Sequence, residues 1–172
     1  MSQVSGFPPV VGSRPRVLIL GSMPGVASLE QRQYYAHPRN AYWPIMGELF
    51  GAGPELPYAE RLEKLTACGI ALWDVVESCF RPGSLDTNIS AASARPNDFT
   101  ALYARHGSIR HVFFNGRKAG ELYRRKVLPD LAERGGERAY RTLPSTSPAH
   151  ASRSYRQKLR EWTVVRSALD PE

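Results

Sequence analysis

Residues 16–25 read Arg16-Val-Leu-Ile-Leu-Gly-Ser-Met-Pro-Gly25, an apolar run that ends in a glycine-rich turn. The apolar run predicts a buried strand over residues 16–20. The two glycines and the proline predict a tight turn whose backbone N–H groups can approach a ligand. The turn has neither the Gly-Lys-Ser/Thr of a Walker loop nor the G-x-G-x-x-G spacing. Taken alone, it is also compatible with an ordinary turn between a strand and a helix.

Strands and helices alternate after this stretch. Three more strands are predicted, over residues 69–76, 110–115 and 139–143. Helices are predicted over residues 44–50, 58–67, 98–106 with Asn97 as N-cap, 116–133 with an interruption at Pro129, and from 152 or 153 to 168. Such alternation is typical of a parallel sheet covered on both faces. We therefore expect an α/β protein with three layers, α/β/α, around a central, mainly parallel four-stranded sheet.

The length and composition predict one globular domain. The chain has 172 residues, about the size of a single domain. Residues 1–15 hold three prolines and two glycines, and they are predicted to form a loose lead-in to a single domain over residues 16–172. Apolar residues make up 42% and charged residues 23%, which excludes a disordered chain, a collagen and a coiled-coil rod.

The sequence also bears on the compartment. No stretch approaches the ~18 apolar residues that span a membrane, and residues 1–13 lack the features of a signal peptide. The two cysteines, Cys68 and Cys79, make no disulfide framework and are interpreted as reduced thiols. Together with four scattered histidines they give no zinc spacing. We expect a cytoplasmic protein with no membrane partner and no metal.

The charge is distributed unevenly along the chain. Lys and Arg total 23 against 16 Asp and Glu, a net charge of +7. Residues 1–100 carry 8 basic and 9 acidic side chains, whereas residues 101–172 carry 15 and 7. Arginine predominates, and its planar fork suits phosphate oxygens. A basic face is typical of nucleic-acid-binding proteins, although a solvated helix surface is the alternative interpretation.

Ligands of parallel sheets bind beyond the carboxyl ends of the strands. The segments that follow predicted strands are residues 21–25, 77–90, 115–116 and 144–152. Asn115 ends a very apolar strand, so it either caps the next helix or lines a pocket. Ser84 lies in a polar turn that faces either a ligand or only solvent.

The last of these segments is a polar loop, Leu143-Pro-Ser-Thr-Ser-Pro-Ala-His-Ala-Ser152. Its serines and backbone N–H groups suit phosphate contact, and Arg153 follows directly. His150 could act as a general acid or contact a phosphate. The alternative is an ordinary helix-capping loop with Ser152 as N-cap.

Residues 33–43, Gln33-Tyr-Tyr-Ala-His-Pro-Arg-Asn-Ala-Tyr-Trp43, concentrate four aromatic residues, a histidine, an arginine and an asparagine. Such a loop can stack on a flat base and hydrogen-bond its edge. Asn40 offers an acceptor and two donors, which could orient a water or a base edge. The alternative is an aromatic loop over the core, with Tyr42 and Trp43 inside it.

Together these loops resemble the uracil-DNA glycosylase superfamily, and within it the hypoxanthine-DNA (deoxyinosine) glycosylase branch. That branch has Gly-Ser-Met-Pro-Gly, then Tyr-Tyr-x-x-Pro-x-Asn-x-(aromatic)-Trp, then Ser-Thr-Ser-Pro-Ala. This chain has the three motifs in the same order at residues 21–25, 34–43 and 145–149. The resemblance spans residues 16–165. The order, spacing and strand context of the motifs are more specific than any motif alone.

The resemblance implies a DNA repair enzyme with a glycosylase-like catalytic domain. It would flip a deaminated base, hypoxanthine above all, out of double-stranded DNA and hydrolyse the N-glycosidic bond. Asn40 would orient the attacking water at C1′, and Asn115 would read the base edge. The rest of the base pocket would be formed by Gly21, Ser22, Met23, Pro24, Gly25, Tyr35 and Tyr42. The DNA contacts would come from Arg39, Ser84, Ser145, Ser147, Pro148, His150 and Arg153.

The resemblance also implies a monomer that needs no metal or organic cofactor. No lysine lies in the candidate loops, so no Schiff-base lyase step is expected. Met23 stands where many members of the superfamily carry Asp or Asn, and Ser145 stands where uracil-specific members carry His or Asn. Ala149 takes the place of a bulky residue. The first two changes argue against efficient uracil excision and fit a purine-like base better.

Three other functions remain open from the sequence. A glycosylase for uracil or thymine mismatches would share the fold but differ in its base pocket. A non-catalytic module that binds damaged DNA would be consistent with Met23. A small-molecule α/β hydrolase or nucleotide binder is disfavoured because phosphate-loop and nucleophile motifs are missing. Only the last of these should bind its ligand with little dependence on salt.

Overall fold

The computed structural model describes residues 3–85, 88–90, 92–131 and 137–170. Their strands are β1 (Gln3–Ser5), β2 (Val17–Gly21), β3 (Ile70–Asp74), β4 (Val76–Phe80), β5 (Arg95–Pro96), β6 (His111–Asn115) and β7 (Ala139–Leu143). The helices are α1 (Val26–Gln31), α2 (Tyr42–Phe50), α3 (Tyr58–Ala67), α4 (Phe99–Arg105), α5 (Arg117–Lys126), α6 (Leu128–Leu131) and α7 (Tyr155–Leu169). No helix among them is both long and apolar enough to cross a membrane.

The predicted parallel sheet is confirmed. Its strand order is β3-β2-β6-β7, and all three strand pairs are parallel. Strand β2 is buried on both faces because helices cover the sheet on both sides. Leu18 and Leu20 pack with side chains of α4, α5 and α6. Val17 and Ile19 pack with those of α2, α3 and α7. The protein is therefore the three-layer α/β/α structure that the alternating pattern predicted.

The prediction of a loose N-terminal segment is wrong for its described part. Residues 3–5 pair antiparallel with β4, and β4 also pairs with β5, so a second sheet of order β1-β4-β5 lies beside the first. Val10 forms an isolated bridge with Leu72, and the Trp73 indole donates to the carbonyl of Phe7 at 3.0 Å. Strand β4 also occupies the beginning of the segment 77–90, which was expected to be a loop throughout.

Several helix ends differ from the predicted ones. The N-cap of α4 is Asp98, whose carboxylate accepts from the Ala101 N–H, and not Asn97. The N-cap of α7 is Ser154, which forms a capping box with Gln157, and not Ser152. The helix expected over residues 116–133 ends at Lys126 and restarts as the short helix α6, in which Pro129 lies. Residues 132–136 lie outside the described part of the chain.

Candidate active site

A cavity of about 920 Å³ lies at the carboxyl ends of β2, β3 and β6, where ligands of parallel sheets bind. The structure brings together in its wall most of the residues predicted from the sequence: Gly21, Ser22, Met23, Pro24, Gly25, Tyr35, Arg39, Asn40, Ser84, Asn115, Ser145, Ser147, Pro148 and His150. Their individual roles remain predictions. The wall does not include Tyr42 or Arg153.

The glycine-rich turn lies close to neighbouring side chains. Gly21 is paired in register with Asp74 across β2 and β3. A Cβ atom at Gly21 would lie 2.6 Å from Oδ1 of Asp74 and 3.1 Å from the hydroxyl of Tyr35. Only glycine leaves room for both groups at this point. The carbonyls of Gly21 and Ser22 accept from the N–H groups of Val75 and Val76, which fixes the turn against the neighbouring strands.

The two predicted pocket tyrosines lie one behind the other. Tyr35 lines the cavity with a left-handed backbone (φ +55°), and its ring stacks on Tyr42 at a centroid distance of 4.1 Å. Tyr42 is fully buried, so its assignment to the pocket surface is wrong and it supports Tyr35 from the core. Burial raises the pKa of Tyr42 well above its usual range, which keeps this phenol neutral.

Asn40 lies half-buried at the cavity wall, just before α2. Its Oδ1 accepts from the N–H of Tyr42 at 2.9 Å, and its own N–H donates to the carbonyl of His37 at 2.9 Å. Within the described residues no partner takes the hydrogens of its Nδ2. The side chain is therefore held by one oxygen lone pair and keeps the second lone pair and two N–H donors for a ligand or a water.

Asn115 forms hydrogen bonds within the protein that the sequence analysis did not predict. Its Nδ2 donates to Oγ1 of Thr146 at 2.9 Å, and its Oδ1 accepts from the Thr146 N–H at 2.9 Å. This closed pair joins the end of β6 to the loop after β7. One N–H and one lone pair of the amide remain for a base edge. Asn115 therefore lines the cavity, but much of its side chain serves to connect two loops.

Thr146 was missed by the sequence analysis, which singled out the serines on either side of it. It is 1% exposed, and its carbonyl accepts from the N–H of Ala41 at 2.9 Å. Thr146 thus connects the loop that carries Asn40 with the loop that follows Asn115. A sequence signal was present in its position between Ser145 and Ser147, but the pattern did not show which hydroxyl would turn inward.

The two serines of this loop have structural hydrogen bonds. Oγ of Ser145 accepts from the N–H of Ser147, and Oγ of Ser147 accepts from the N–H of Ala149, each at 3.2 Å. Behind them the buried Lys158 donates to the carbonyl of Ser147 at 3.4 Å. The hydroxyls therefore shape the loop as well as line the cavity.

Another part of the wall is formed by the turn after β4. Arg81 is 4% exposed and donates through Nη2 to the carbonyl of Pro24 at 2.5 Å and through Nε to that of Gly83 at 2.8 Å. Oγ of Ser84 accepts from the N–H of Val26 at 2.7 Å. The neighbouring Leu85 lines the cavity and is 51% exposed. Ser84 therefore helps to attach this wall to the glycine-rich turn.

The wall contains both acidic and basic side chains, the acidic ones being Asp74 and Glu121. Arg39, Arg117 and Lys118 line the cavity. Lys118 lies on α5, outside the candidate loops, and still lines the cavity, so the absence of a lyase step does not follow from the composition of those loops alone. Arg153 lies outside the wall, and its Nε pairs with Glu161 at 2.6 Å.

His150 lines the cavity and has a lowered pKa. Burial lowers this pKa below the usual value, and the positive charges of Lys158, Arg153 and Arg117 lower it further. The imidazole is therefore neutral near pH 7. Among the residues that the structure describes, no group of three or more His, Cys, Asp or Glu side chains could hold a metal ion.

Comparison with known proteins agrees with this geometry. A family model for the uracil DNA glycosylase superfamily matches residues 8–168. A hypoxanthine DNA glycosylase from Methanosarcina acetivorans is 36% identical over 161 residues, 93% of this chain and 96% of that protein. One from Methanosarcina barkeri is 40% identical over 117 residues, 67% of this chain and 73% of that protein.

A solved structure shares the fold. The solution NMR structure of a Methanosarcina acetivorans protein, described as a candidate uracil DNA glycosylase, superposes with a TM-score of 0.78 at 33% identity. The match covers 98% of this chain and 99% of that one. The sequence, the sheet topology and the position of the cavity thus agree: the chain belongs to the uracil DNA glycosylase superfamily.

Proposed function

We propose that this protein is a hypoxanthine DNA glycosylase that removes the base of deoxyinosine from double-stranded DNA. The observation that carries the proposal is the cavity at the carboxyl edge of the sheet, where Asn40 keeps its amide hydrogens available. The volume of about 920 Å³ is sufficient for a flipped purine nucleotide. Relatives that align with most of the chain are named for the same activity.

The chemistry assigns Asn40 to the attacking water. The water oxygen forms a bond to C1′ while the C1′–N9 bond breaks, and the electron pair leaves with the base. The base takes up a proton and the water gives one up. Positive charge develops on the sugar, so fixed dipoles and nearby phosphates stabilise the transition state more than a strong base would. The neutral amide of Asn40 is too weak a base to take a proton from the water, so it acts by orienting the water.

The basic rim supports binding of the duplex. Arg39, Arg117 and Lys118 lie at the cavity, and they can neutralise phosphates on either side of the flipped nucleotide. A mispaired base costs less to extrude than a paired one, which favours deaminated bases over normal ones. The protein is proposed to act as a monomer, as the resemblance to the family implies.

The test is a cleavage assay on labelled duplexes that contain one deoxyinosine, uracil, xanthine or thymine mismatch. We expect alkali-dependent cleavage mainly at deoxyinosine. Strand cleavage without alkali would show a lyase step and would contradict a monofunctional enzyme. Cleavage mainly at uracil would show that uracil, and not hypoxanthine, is the preferred base. Salt-sensitive binding without any cleavage would favour a non-catalytic module.

Two variants test the role of Asn40. Asn40→Ala removes both the water contact and the bond to the Tyr42 N–H, and we expect its excision rate to fall by roughly 100-fold or more. Asn40→Asp keeps the acceptor oxygens, so it should fold like the wild type and retain measurable excision. Both variants should bind the duplex. Wild-type turnover by a folded Asn40→Ala variant would contradict the assignment.

A further inference from the structure

We propose that the buried ammonium of Lys158 supports the turn 147–150 from beneath and supplies the positive charge that a phosphate of the bound DNA neutralises. The inference rests on the proposed glycosylase function and adds a positioning residue that lies outside the cavity wall. The sequence analysis did not single out Lys158. Neither the water-orienting role of Asn40 nor the basic residues of the cavity wall include it.

Lys158 is a buried cation without an acidic partner. It is the fourth residue of α7 and is 5% exposed. In the part of the chain that the structure describes, its ammonium forms no ion pair, and its one hydrogen bond goes to the carbonyl of Ser147 at 3.4 Å. Burial lowers the pKa of Lys158, because an unpaired charge is costly to remove from water. The positive end of the α7 dipole adds to this cost.

The turn above Lys158 faces the cavity on its other side. The N–H of His150 donates to the Ser147 carbonyl at 3.0 Å and closes the turn, and Pro148 occupies a position that proline favours. Pro148, Ala149 and His150 line the cavity, whereas Lys158 does not. The turn therefore lies between the ammonium and the space that the DNA would enter.

Helix α7 also holds this loop by a contact that carries no charge. Trp162 follows Lys158 by one helical turn on the same face, and its indole donates to the carbonyl of Pro144 at 2.9 Å. The contact of Lys158 is longer, and at 3.4 Å an N–H···O bond is weak. A neutral donor could support the Ser147 carbonyl at lower cost. The charge of Lys158 therefore points to an anionic ligand.

The charged groups around His150 leave positive charge uncompensated. Lys158, Arg153 and Arg117 are close enough to His150 to lower its pKa, and Glu161 acts in the opposite direction. Glu161 is already paired with Arg153 at 2.6 Å. Lys158 and Arg117 thus remain without an acidic partner among the described residues. The phosphodiester groups on either side of a flipped nucleotide are the anions that this arrangement fits.

A buried charge can act on a phosphate without touching it. The effective dielectric constant is lower inside a protein than in water, and salt screens a buried charge less than an exposed one. The ammonium therefore destabilises the free protein and stabilises the complex with DNA. Removal of the charge should weaken DNA binding without weakening the fold.

The test measures binding of a fluorescein-labelled duplex that contains one deoxyinosine, by fluorescence anisotropy. The parent protein carries Asn40→Ala, which slows excision during the measurement. Lys158→Met is added to remove both the charge and the donor, and Lys158→Gln is added to keep a donor without the charge. Both should raise Kd by roughly 10-fold and make the dependence of Kd on salt less steep.

Arg166→Met is the matched control. It removes an exposed cation near the other end of α7, so the net charge changes by the same amount. Its Kd should stay within about 2-fold of the parent value. Urea unfolding is the second measurement. The midpoint for Lys158→Met should equal or exceed that of the parent, because a buried unpaired charge has been removed.

Four results would overturn the inference. Parent affinity in Lys158→Gln would show that a donor to Ser147 is sufficient. Parent affinity in a folded Lys158→Met variant would show that neither the donor nor the charge matters. A Lys158→Met variant that unfolds more easily than the parent, or does not fold, would make the ammonium a structural group. An equal loss of affinity in Arg166→Met would show that only the net charge counts.

The binding assay also separates this inference from the proposed function. If wild-type protein excises uracil instead of hypoxanthine, the proposed substrate is wrong, and Kd is compared on a uracil duplex. If wild-type protein excises nothing, the comparison on the deoxyinosine duplex still tests Lys158, because it measures binding alone. Equal Kd values for the parent and both Lys158 variants would then overturn the role of Lys158.

Discussion

The cavity has two walls that differ in burial and in the way they are held. The inner wall consists of Gly21, Ser22, Asp74, Asn115 and Thr146, all of them buried. The outer wall consists of Arg39, Ser84, Leu85, Ser147 and His150, all of them exposed or half-buried. The inner wall is built mainly on the ends of parallel strands, with Thr146 in the loop after β7, whereas the outer wall is built entirely on loops. The inner wall is therefore suited to selecting the base, and the outer wall is suited to holding DNA.

Among the variants that test the difference between the two walls, we expect the largest loss of stability and of kcat at Thr146. Thr146→Val deletes the hydroxyl that accepts from Asn115 and leaves a buried amide N–H without that partner, which costs about 1–3 kcal/mol of unfolding free energy. Because Asn115 would shift, kcat should fall by roughly 10- to 100-fold. Urea unfolding and single-turnover kinetics measure the two quantities.

Thr146→Ser is the matched control, because it keeps the hydroxyl. Thr146→Ser should retain most of the unfolding free energy and most of the kcat of the wild type. If Thr146→Val changed KM and left kcat unaltered, the inner wall would contribute to DNA binding. The proposed difference in function between the two walls would then be wrong.

Arg81 tests the outer wall. Arg81→Ala removes two hydrogen bonds that Arg81 donates. The bond to the Pro24 carbonyl attaches the turn after β4 to the glycine-rich turn, and the bond to the Gly83 carbonyl shapes the turn itself. The turn should lose its fixed position over the cavity, so KM should rise by roughly 10-fold while kcat stays within about 2-fold. Steady-state kinetics on a deoxyinosine duplex provide the measurement. The lysine of Arg81→Lys can reach one carbonyl at most, so the KM of this variant should lie between those of the wild type and Arg81→Ala.

The smallest effect is expected at His150. Its lowered pKa makes the imidazole neutral near pH 7, and protonation below that pKa adds a positive charge beside the DNA. Duplex affinity should therefore rise as the pH falls from 7 to about 5.5. In His150→Ala this increase in affinity should be smaller by a factor of roughly 2 to 5. Fluorescence anisotropy at both pH values measures it. An identical pH dependence in the variant would place His150 away from the phosphates.

Much of the inner wall could be predicted from the sequence. Four apolar residues before a glycine specify β2 and its turn, and the run before Asn115 specifies β6 in the same way. Parallel strands then bring the two ends together without further information. Asp74 escaped notice because the predicted strand continued to Val76, which placed the carboxylate inside a strand instead of at its end.

The outer wall was less predictable for physical reasons. Strand β4 pairs with β1, about 75 residues earlier in the chain, and no local pattern encodes a partner at that distance. The aromatic content of residues 33–43 indicated a stacking loop, but it could not show that Tyr35 faces the cavity and Tyr42 the core. Which face a side chain takes there depends on the left-handed backbone at Tyr35.

The three bonds of Thr146 have a consequence for how this protein can be altered. They join the segment that carries Asn40, the end of β6 and the loop after β7, three parts of the chain that lie far apart in sequence. If only one of these loops were replaced by that of a relative, its hydrogen-bonding partners in the other two segments would no longer match. Substrate range should therefore be transferable between relatives only when all three segments are exchanged as a set, and natural divergence should have changed them together.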